Sequence, residues 1–112
     1  NHPNIRINFD TANIYYYNEK IDGCTEMAKV LPFIEAIHLK DTDGSFHGWA
    51  FCEFGKGVVD FKKTFQMLNA RGFYGPFTTE IEGCQGEDLN FEQSVARVRN
   101  SLAHLQKLGC IK

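Results

Sequence analysis

Three side chains able to hold a metal ion, Asp10, His38 and Glu80, each close a short apolar segment: Ile-Arg-Ile-Asn-Phe-Asp (5–10), Ile-Glu-Ala-Ile-His (34–38) and Phe-Thr-Thr-Glu (77–80). Two carboxylates and an imidazole form a hard-to-borderline donor set suited to Mn²⁺, Mg²⁺, Co²⁺ or Zn²⁺. Each residue has an ordinary role when taken alone. An aspartate at a strand end commonly caps a turn, a histidine among apolar residues is commonly a core residue, and a glutamate commonly meets a lysine or arginine. Their shared position at the same end of three apolar segments favours a joint role. Three protein ligands leave such an ion under-coordinated, so a fourth group or a substrate must complete it. Lys40 lies on the same face as His38, where it meets either a substrate oxygen or a carboxylate, Glu82 or Asp41. Glu82, just beyond Glu80, reads as polar lining of the same mouth. Gly55-Lys56-Gly57 reads as a turn, because no helix opens on a longer glycine pattern there.

These residues need strands to carry them and helices to connect the strands. Residues 5–10 alternate, with Ile5, Ile7 and Phe9 on one side and Arg6, Asn8 and Asp10 on the other. Residues 19–31 place Ile21, Cys24, Ala28 and Leu31 on one helical face, and Pro32 ends the run. Residues 34–40 form a second strand, and a short strand is expected around Phe51–Phe54. Asp60 can cap a helix running to Arg71 with Phe61, Phe65 and Leu68 inward, and Gly72 suits its C-terminus. The strand Phe77–Glu82 follows, with Thr78, Glu80 and Glu82 on one face. The last helix starts near Asn90, where Gln93 completes a capping box. It carries Phe91, Val95, Val98, Leu102 and Leu105 as one stripe, and Gly109 marks its stop.

Strands alternating with helices imply a parallel sheet. The one poor link is residues 42–50, short for a helical crossover and read as a loop over the mouth. Carboxylates and imidazoles at the C-terminal ends of such strands are how a parallel (β/α) barrel presents metal ligands. A complete barrel of eight units takes about 250 residues, so the 112 residues read as a single domain (1–112) holding about four strand–helix units, a half-barrel. Strands 5–10 and 77–82 would then be open edges, to be paired by a missing half-barrel or a second copy of the chain. An open four-stranded αβ sandwich is the alternative.

Composition narrows the classes. An apolar share of 43% is that of a globular chain, and a net charge of −2 with scattered Lys and Arg argues against a nucleic-acid partner. No apolar run is long enough to span a bilayer, so no membrane partner is expected. Cys24, Cys52, Cys84 and Cys110 lack paired metal-knuckle spacing and read as free thiols, with the cytoplasm as the default compartment.

The strings NFDTANIYYY, IHLKDTDG, FCEFGKGVVDFKKTFQML and GFYGPFTTEIEG, in this order and spacing, resemble the last four strand–helix units of the xylose isomerase-like TIM barrels. That superfamily includes sugar phosphate isomerases and epimerases, and the resemblance covers nearly the whole chain. It implies one divalent ion held by two glutamates, an aspartate and a histidine. The pattern carries over onto Asp10, His38 and Glu80, and the second glutamate would come from a strand before residue 1. Among tagatose-type epimerases a histidine follows the ligand aspartate by three positions and contacts substrate; Asn13 stands there, and can still hydrogen-bond a hydroxyl. The arginine those epimerases carry after the ligand histidine has no counterpart between His38 and Arg71. Asn13, Lys40, Trp49 and Glu82 are the expected substrate contacts, with Trp49, His47 and Phe51 in a loop able to cover a sugar ring.

The resemblance thus implies a metal-dependent sugar or sugar phosphate isomerase or epimerase, with Glu80 as a catalytic acid/base and an ene-diolate intermediate. A metal-dependent lyase or dehydratase needs the same parts. The endonuclease-IV branch would require histidine at position 13 and an aspartate–histidine pair near 49 and 51, where Asn13, Trp49 and Phe51 stand. A non-catalytic remnant is the third class.

Overall fold

Alternation of Ile7 and Phe9 with Asn8 and Asp10 builds the first strand, β1 (Ile7–Asp10), in the computed structural model, which describes residues 2–112. β1 pairs in parallel with β2 (Ile34–Leu39), and β2 pairs in parallel with β4 (Phe77–Thr79), giving the sheet order β1–β2–β4. The β1–β2 connection runs through α1 (Asn13–Tyr17), α2 (Gly23–Val30) and a 3₁₀ turn at Leu31–Phe33. The return from β2 to β4 runs through α3 (Phe61–Ala70), and α4 (Phe91–Lys107) closes the order. The expected parallel α/β alternation is therefore present, with β1 and β4 as its open edges.

Three details differ from expectation. The strand expected around Phe51–Phe54 is β3 (Ala50–Phe51), and it pairs antiparallel with β5 (Gly83–Cys84), outside the parallel sheet. The crossover from β2 thus extends through residues 40–76 and contains a full helix, which removes the short link at 42–50. The last sheet strand stops at Thr79 rather than Glu82, because Gly83, at φ +86°, turns the chain into the ribbon. The helix expected from residue 19 starts at Gly23, since Asp22 accepts a hydrogen bond from Thr25 N at 2.9 Å and fixes the N-terminus there.

Phe9, Ile34, Ile37 and Leu39 turn one face of the sheet into the core, against Met27 of α2, Phe61, Phe65 and Leu68 of α3, and Leu105 of α4. The other face carries exposed Asn8 and Thr78 and half-buried Asp10 and His38. Asp60 caps α3 through Lys63 N at 2.9 Å, and Asn90 and Gln93 form the expected capping box on α4. Both long helices end in a left-handed glycine, Gly72 and Gly109, where Phe73 N reaches Leu68 O and Cys110 N reaches Leu105 O. The apolar stripe of α4 divides: Leu105 is in the core, whereas Phe91, Val98 and Leu102 stay exposed along an open groove. The groove lies on a helix that follows the edge strand β4, and no described residue covers it. All four cysteines are free, and no helix among the described residues is long and apolar enough to cross a membrane.

Candidate metal centre

Parallel pairing puts the C-terminal ends of β1, β2 and β4 side by side, and register decides which side chains meet there. Asp10 stands opposite His38, and His38 opposite Thr78. Glu80 follows just past β4, held by its own N–H on Leu39 O at 2.9 Å. The three candidate ligands therefore rise from one rim on one face. Each offers a donor atom, and the three atoms lie within 4.8 Å of one another. His38 Nδ1 is 3.4 Å from Glu80 Oε2 and 3.8 Å from Asp10 Oδ2.

The two oxygens of Asp10 are used differently. Oδ1 accepts from the N–H groups of Ala12 and Asn13, at 2.9 and 2.8 Å, which turns the chain into α1 and locks the carboxylate. Oδ2 is buried and receives no hydrogen bond from any described residue. What it faces is the Lys40 ammonium at 3.4 Å, a charge without a hydrogen bond, which leaves the oxygen free to meet an ion. Two donors about 2.1 Å from one ion lie about 3.0–3.4 Å apart at octahedral or tetrahedral angles, so the spacing around His38 needs only small side-chain movement to bind one. These residues fit a divalent ion.

Lys40 sits at the centre of the same cluster and is 2% exposed. Its Nζ lies 2.6 Å from Glu82 Oε2, 2.9 Å from Glu80 Oε2, 3.4 Å from Asp10 Oδ2 and 3.2 Å from Asn13 Oδ1, and 4.5 Å above the Phe51 ring. Burial works to lower its pKa, but hydrogen bonds to Glu80 and Glu82 and the charge of Asp10 outweigh it and hold the ammonium above the usual lysine range. The Lys40 hydrogen bond in turn holds the Glu80 carboxyl below the usual glutamate range, against a smaller opposing effect of burial. Thr11 fixes the lysine from behind: its Oγ1 donates to Lys40 O at 2.6 Å and accepts from Lys40 N at 2.9 Å.

Five of the residues singled out in sequence besides Lys40 thus converge: Asp10, Asn13, His38, Glu80 and Glu82. Trp49 does not touch them. Its ring stands 5.1 Å from Phe51 and 6.3 Å from Tyr16, half exposed at the outer edge of an aromatic wall. Asp41, expected as one partner for Lys40, turns away because successive residues face opposite sides of the strand. It is fully buried and accepts from the N–H groups of Thr42, Gly55, Gly57 and Val59 at 2.9–3.1 Å, tying the rim loop to the end of β2. A Cβ at Gly57 would overlap Thr42 O and the Asp41 carboxylate, so this loop needs glycine for space. Thr11 and the Asp41 tether escaped the sequence reading. The adjacent Lys-Asp pair and the later Gly-Lys-Gly were the available signal.

Comparison with known proteins agrees with this geometry. The family described as xylose isomerase-like TIM barrel matches residues 1–108. The L-ribulose-5-phosphate 3-epimerase UlaE of Escherichia coli is 31% identical over 114 aligned positions, which take in 100% of this chain and 38% of that protein. The crystal structure of a xylose isomerase domain protein from Planctomyces limnophilus superposes with a TM-score of 0.72 at 25% identity, over 96% of this chain and 37% of that one. A xylose isomerase domain protein from Alicyclobacillus acidocaldarius shares the fold, with a TM-score of 0.65 at 21% identity over 95% of this chain and 37% of that one. The chain spans under two-fifths of the length of these relatives, and its three parallel strands and their helices are the corresponding part of a barrel. The match over residues 1–108, on a rim built from Asp10, His38 and Glu80, makes this chain a member of the xylose isomerase-like TIM barrel family.

Proposed function

We propose that this chain supplies one side of the active site of a divalent-metal-dependent sugar phosphate epimerase or isomerase. The observation that carries the proposal is the convergence of Asp10, His38 and Glu80 at one rim, with Oδ2 of Asp10 accepting no hydrogen bond. The likeness to an epimerase of a pentulose phosphate supports the substrate class. Asp10, His38 and Glu80 are the residues that would hold the ion, with a fourth ligand from the part of the barrel this chain does not span. When bound, a divalent ion (Mn²⁺, Mg²⁺, Co²⁺ or Zn²⁺) supplies Lewis acidity toward the substrate carbonyl and neutralises negative charge on its oxygens.

Glu80 is the acid/base. Its carboxylate is held ionised by Lys40 and stands at the rim, partly open to the mouth, as a base must be. It takes the proton from the carbon beside the carbonyl, and the bonding pair moves into the carbonyl to give an ene-diolate. Lys40 and Asn13 direct hydrogen-bond donors at the substrate oxygens next to that carbon, and Glu82 fixes the lysine. The wall of Tyr16, Phe51 and Trp49 covers the apolar face of the sugar and keeps water from the ene-diolate. Return of the proton to the opposite face requires a second acid, which we assign to the remainder of the barrel.

Exchange of substrate hydrogen with solvent deuterium tests the assignment in the protein that carries this chain. Glu80→Gln is expected to lose exchange by at least a thousandfold, because an amide cannot take the proton. His38→Ala is expected to lose activity mainly through metal affinity, so that added Mn²⁺ restores part of it. Wild-type exchange in Glu80→Gln would overturn Glu80 as the base.

A further inference from the structure

We infer that Lys40 is an internal competitor for the metal: its ammonium stands against the very oxygens that a divalent ion would use, and so sets the affinity of the site for that ion. The inference rests on the metal site proposed above. Lys40 Nζ lies 2.9 Å from Glu80 Oε2 and 3.4 Å from Asp10 Oδ2, and those two oxygens are the ones that approach His38 Nδ1. Without an ion, the lysine is the charge that keeps the two carboxylates together.

The lysine cannot leave to make room. Its side chain is 2% exposed, and Thr11 pins its main chain through both N–H and carbonyl. It does have contacts that an ion would not disturb. Glu82 Oε2 at 2.6 Å, Asn13 Oδ1 at 3.2 Å and the Phe51 ring involve no atom of the ligand set. When Asp10 and Glu80 turn to an ion, the ammonium keeps these partners and remains a close positive neighbour. Three carboxylates and one ammonium leave two negative charges in the cluster, which a divalent ion neutralises. With the ammonium removed, the ion meets three uncompensated carboxylates and no repelling cation, so it binds more tightly. Glu82, which holds the lysine apart from the ligands, acts in the opposite sense. Its loss would turn the ammonium more fully onto Asp10 and Glu80.

Titration calorimetry with Mn²⁺ on the protein that carries this chain, joined to thermal unfolding with and without Mn²⁺, tests this. Lys40→Met is expected to bind Mn²⁺ at least tenfold more tightly than wild type. It should unfold at lower temperature without the ion and show a larger upward shift on adding it. Lys40→Arg, which keeps the charge, is expected to stay near wild-type affinity, and Glu82→Gln to bind several-fold more weakly. A folded Lys40→Met protein with wild-type or weaker affinity would make Lys40 a brace for the ligands and overturn the inference. Should Lys40→Met fold only with the ion present, Glu82→Gln decides, and unchanged or tighter binding by that variant overturns it. Failure of both the wild-type and the Lys40→Met protein to bind Mn²⁺ would overturn the metal site itself.

Discussion

At the scale of single residues, the rim is a place where charge is arranged more carefully than size. Asp10 gives one oxygen to backbone N–H groups and turns the other toward the Lys40 ammonium without a hydrogen bond, while Lys40 and Asp41, adjacent in sequence, face opposite sides of the chain. The Asp41 charge reaches a third neighbour, Cys52. Burial, and then the negative charge of Asp41, push the Cys52 thiol up to about 11. Because the thiolate is the nucleophile, a raised value means slow alkylation until the pH approaches it. At pH 8 the thiolate fraction of Cys52 is expected to lie about two orders of magnitude below that of a free cysteine with a pKa of about 8.5. Iodoacetamide labelling followed by mass spectrometry should therefore show the Cys52 rate still rising with pH between 9 and 10, where a free cysteine has levelled off. A plateau by pH 9 would place Cys52 in an ordinary environment.

At the scale of elements, the rim loop between β3 and α3 buries Phe54 in the core, and its main chain from Gly55 to Val59 is gathered by one carboxylate. Asp41→Ala would leave the N–H groups of Gly55, Gly57 and Val59 without their acceptor. Hydrogen bonds to a charged group contribute about 1.5–3 kcal/mol each, so losing three is expected to ease local opening of this loop by at least about 4 kcal/mol, on the order of a thousandfold in amide exchange. Hydrogen exchange should show the loss at these three amides while Ile37 in the central strand keeps its protection. Equal loss at Ile37 would mean that Asp41 supports the whole fold. Such a tether has little sequence signature, because its donors are main-chain groups 14–18 positions away. Elements with local signals were legible. Asn90 and Gln93 announce α4, and Asp60 with Gly72 brackets α3. α1 was missed because it is a single turn of β-favouring tyrosines with no side-chain cap. The β3–β5 ribbon was missed because it pairs two residues with two others more than thirty positions on, and no periodicity survives in so short a strand.

At the scale of the whole molecule, three parallel strands bring the candidate ligands to one end and leave both outer strands, β1 and β4, unpaired along their far sides among the described residues. The exposed Phe91, Val98 and Leu102 of α4 add an apolar groove to these open edges. Open edges and apolar grooves seek partners. Expressed alone, residues 1–112 are expected to associate or to aggregate, and light scattering should give a mass above 12.8 kDa. A thermostable monodisperse monomer would instead mean that the open sheet is self-sufficient. The convergence of Asp10, His38 and Glu80 was legible in sequence because parallel strands make equal ends out of separate segments. The lysine between them carried two readings in sequence, substrate contact or ion pair, and the structure supplies the ion pair with Glu82.

The small antiparallel ribbon also bears on how such a protein changes its specificity over generations. The loop after β2 and the loop after β4 are stitched together by Ala50 against Cys84, by Phe51 against Gly83, and by Gln85 N donating to Trp49 O at 2.7 Å. The loop after β2 supplies Trp49 and Phe51 to the aromatic wall, and the main chain of the loop after β4 backs them. A recombination event that imported a foreign stretch for residues 40–59 alone would strand the backbone of 83–85 without its complement, and the reverse exchange would do the same to Trp49. The two stretches are therefore structurally coupled despite their distance in sequence, and exchanging this rim for another calls for transplanting both at once.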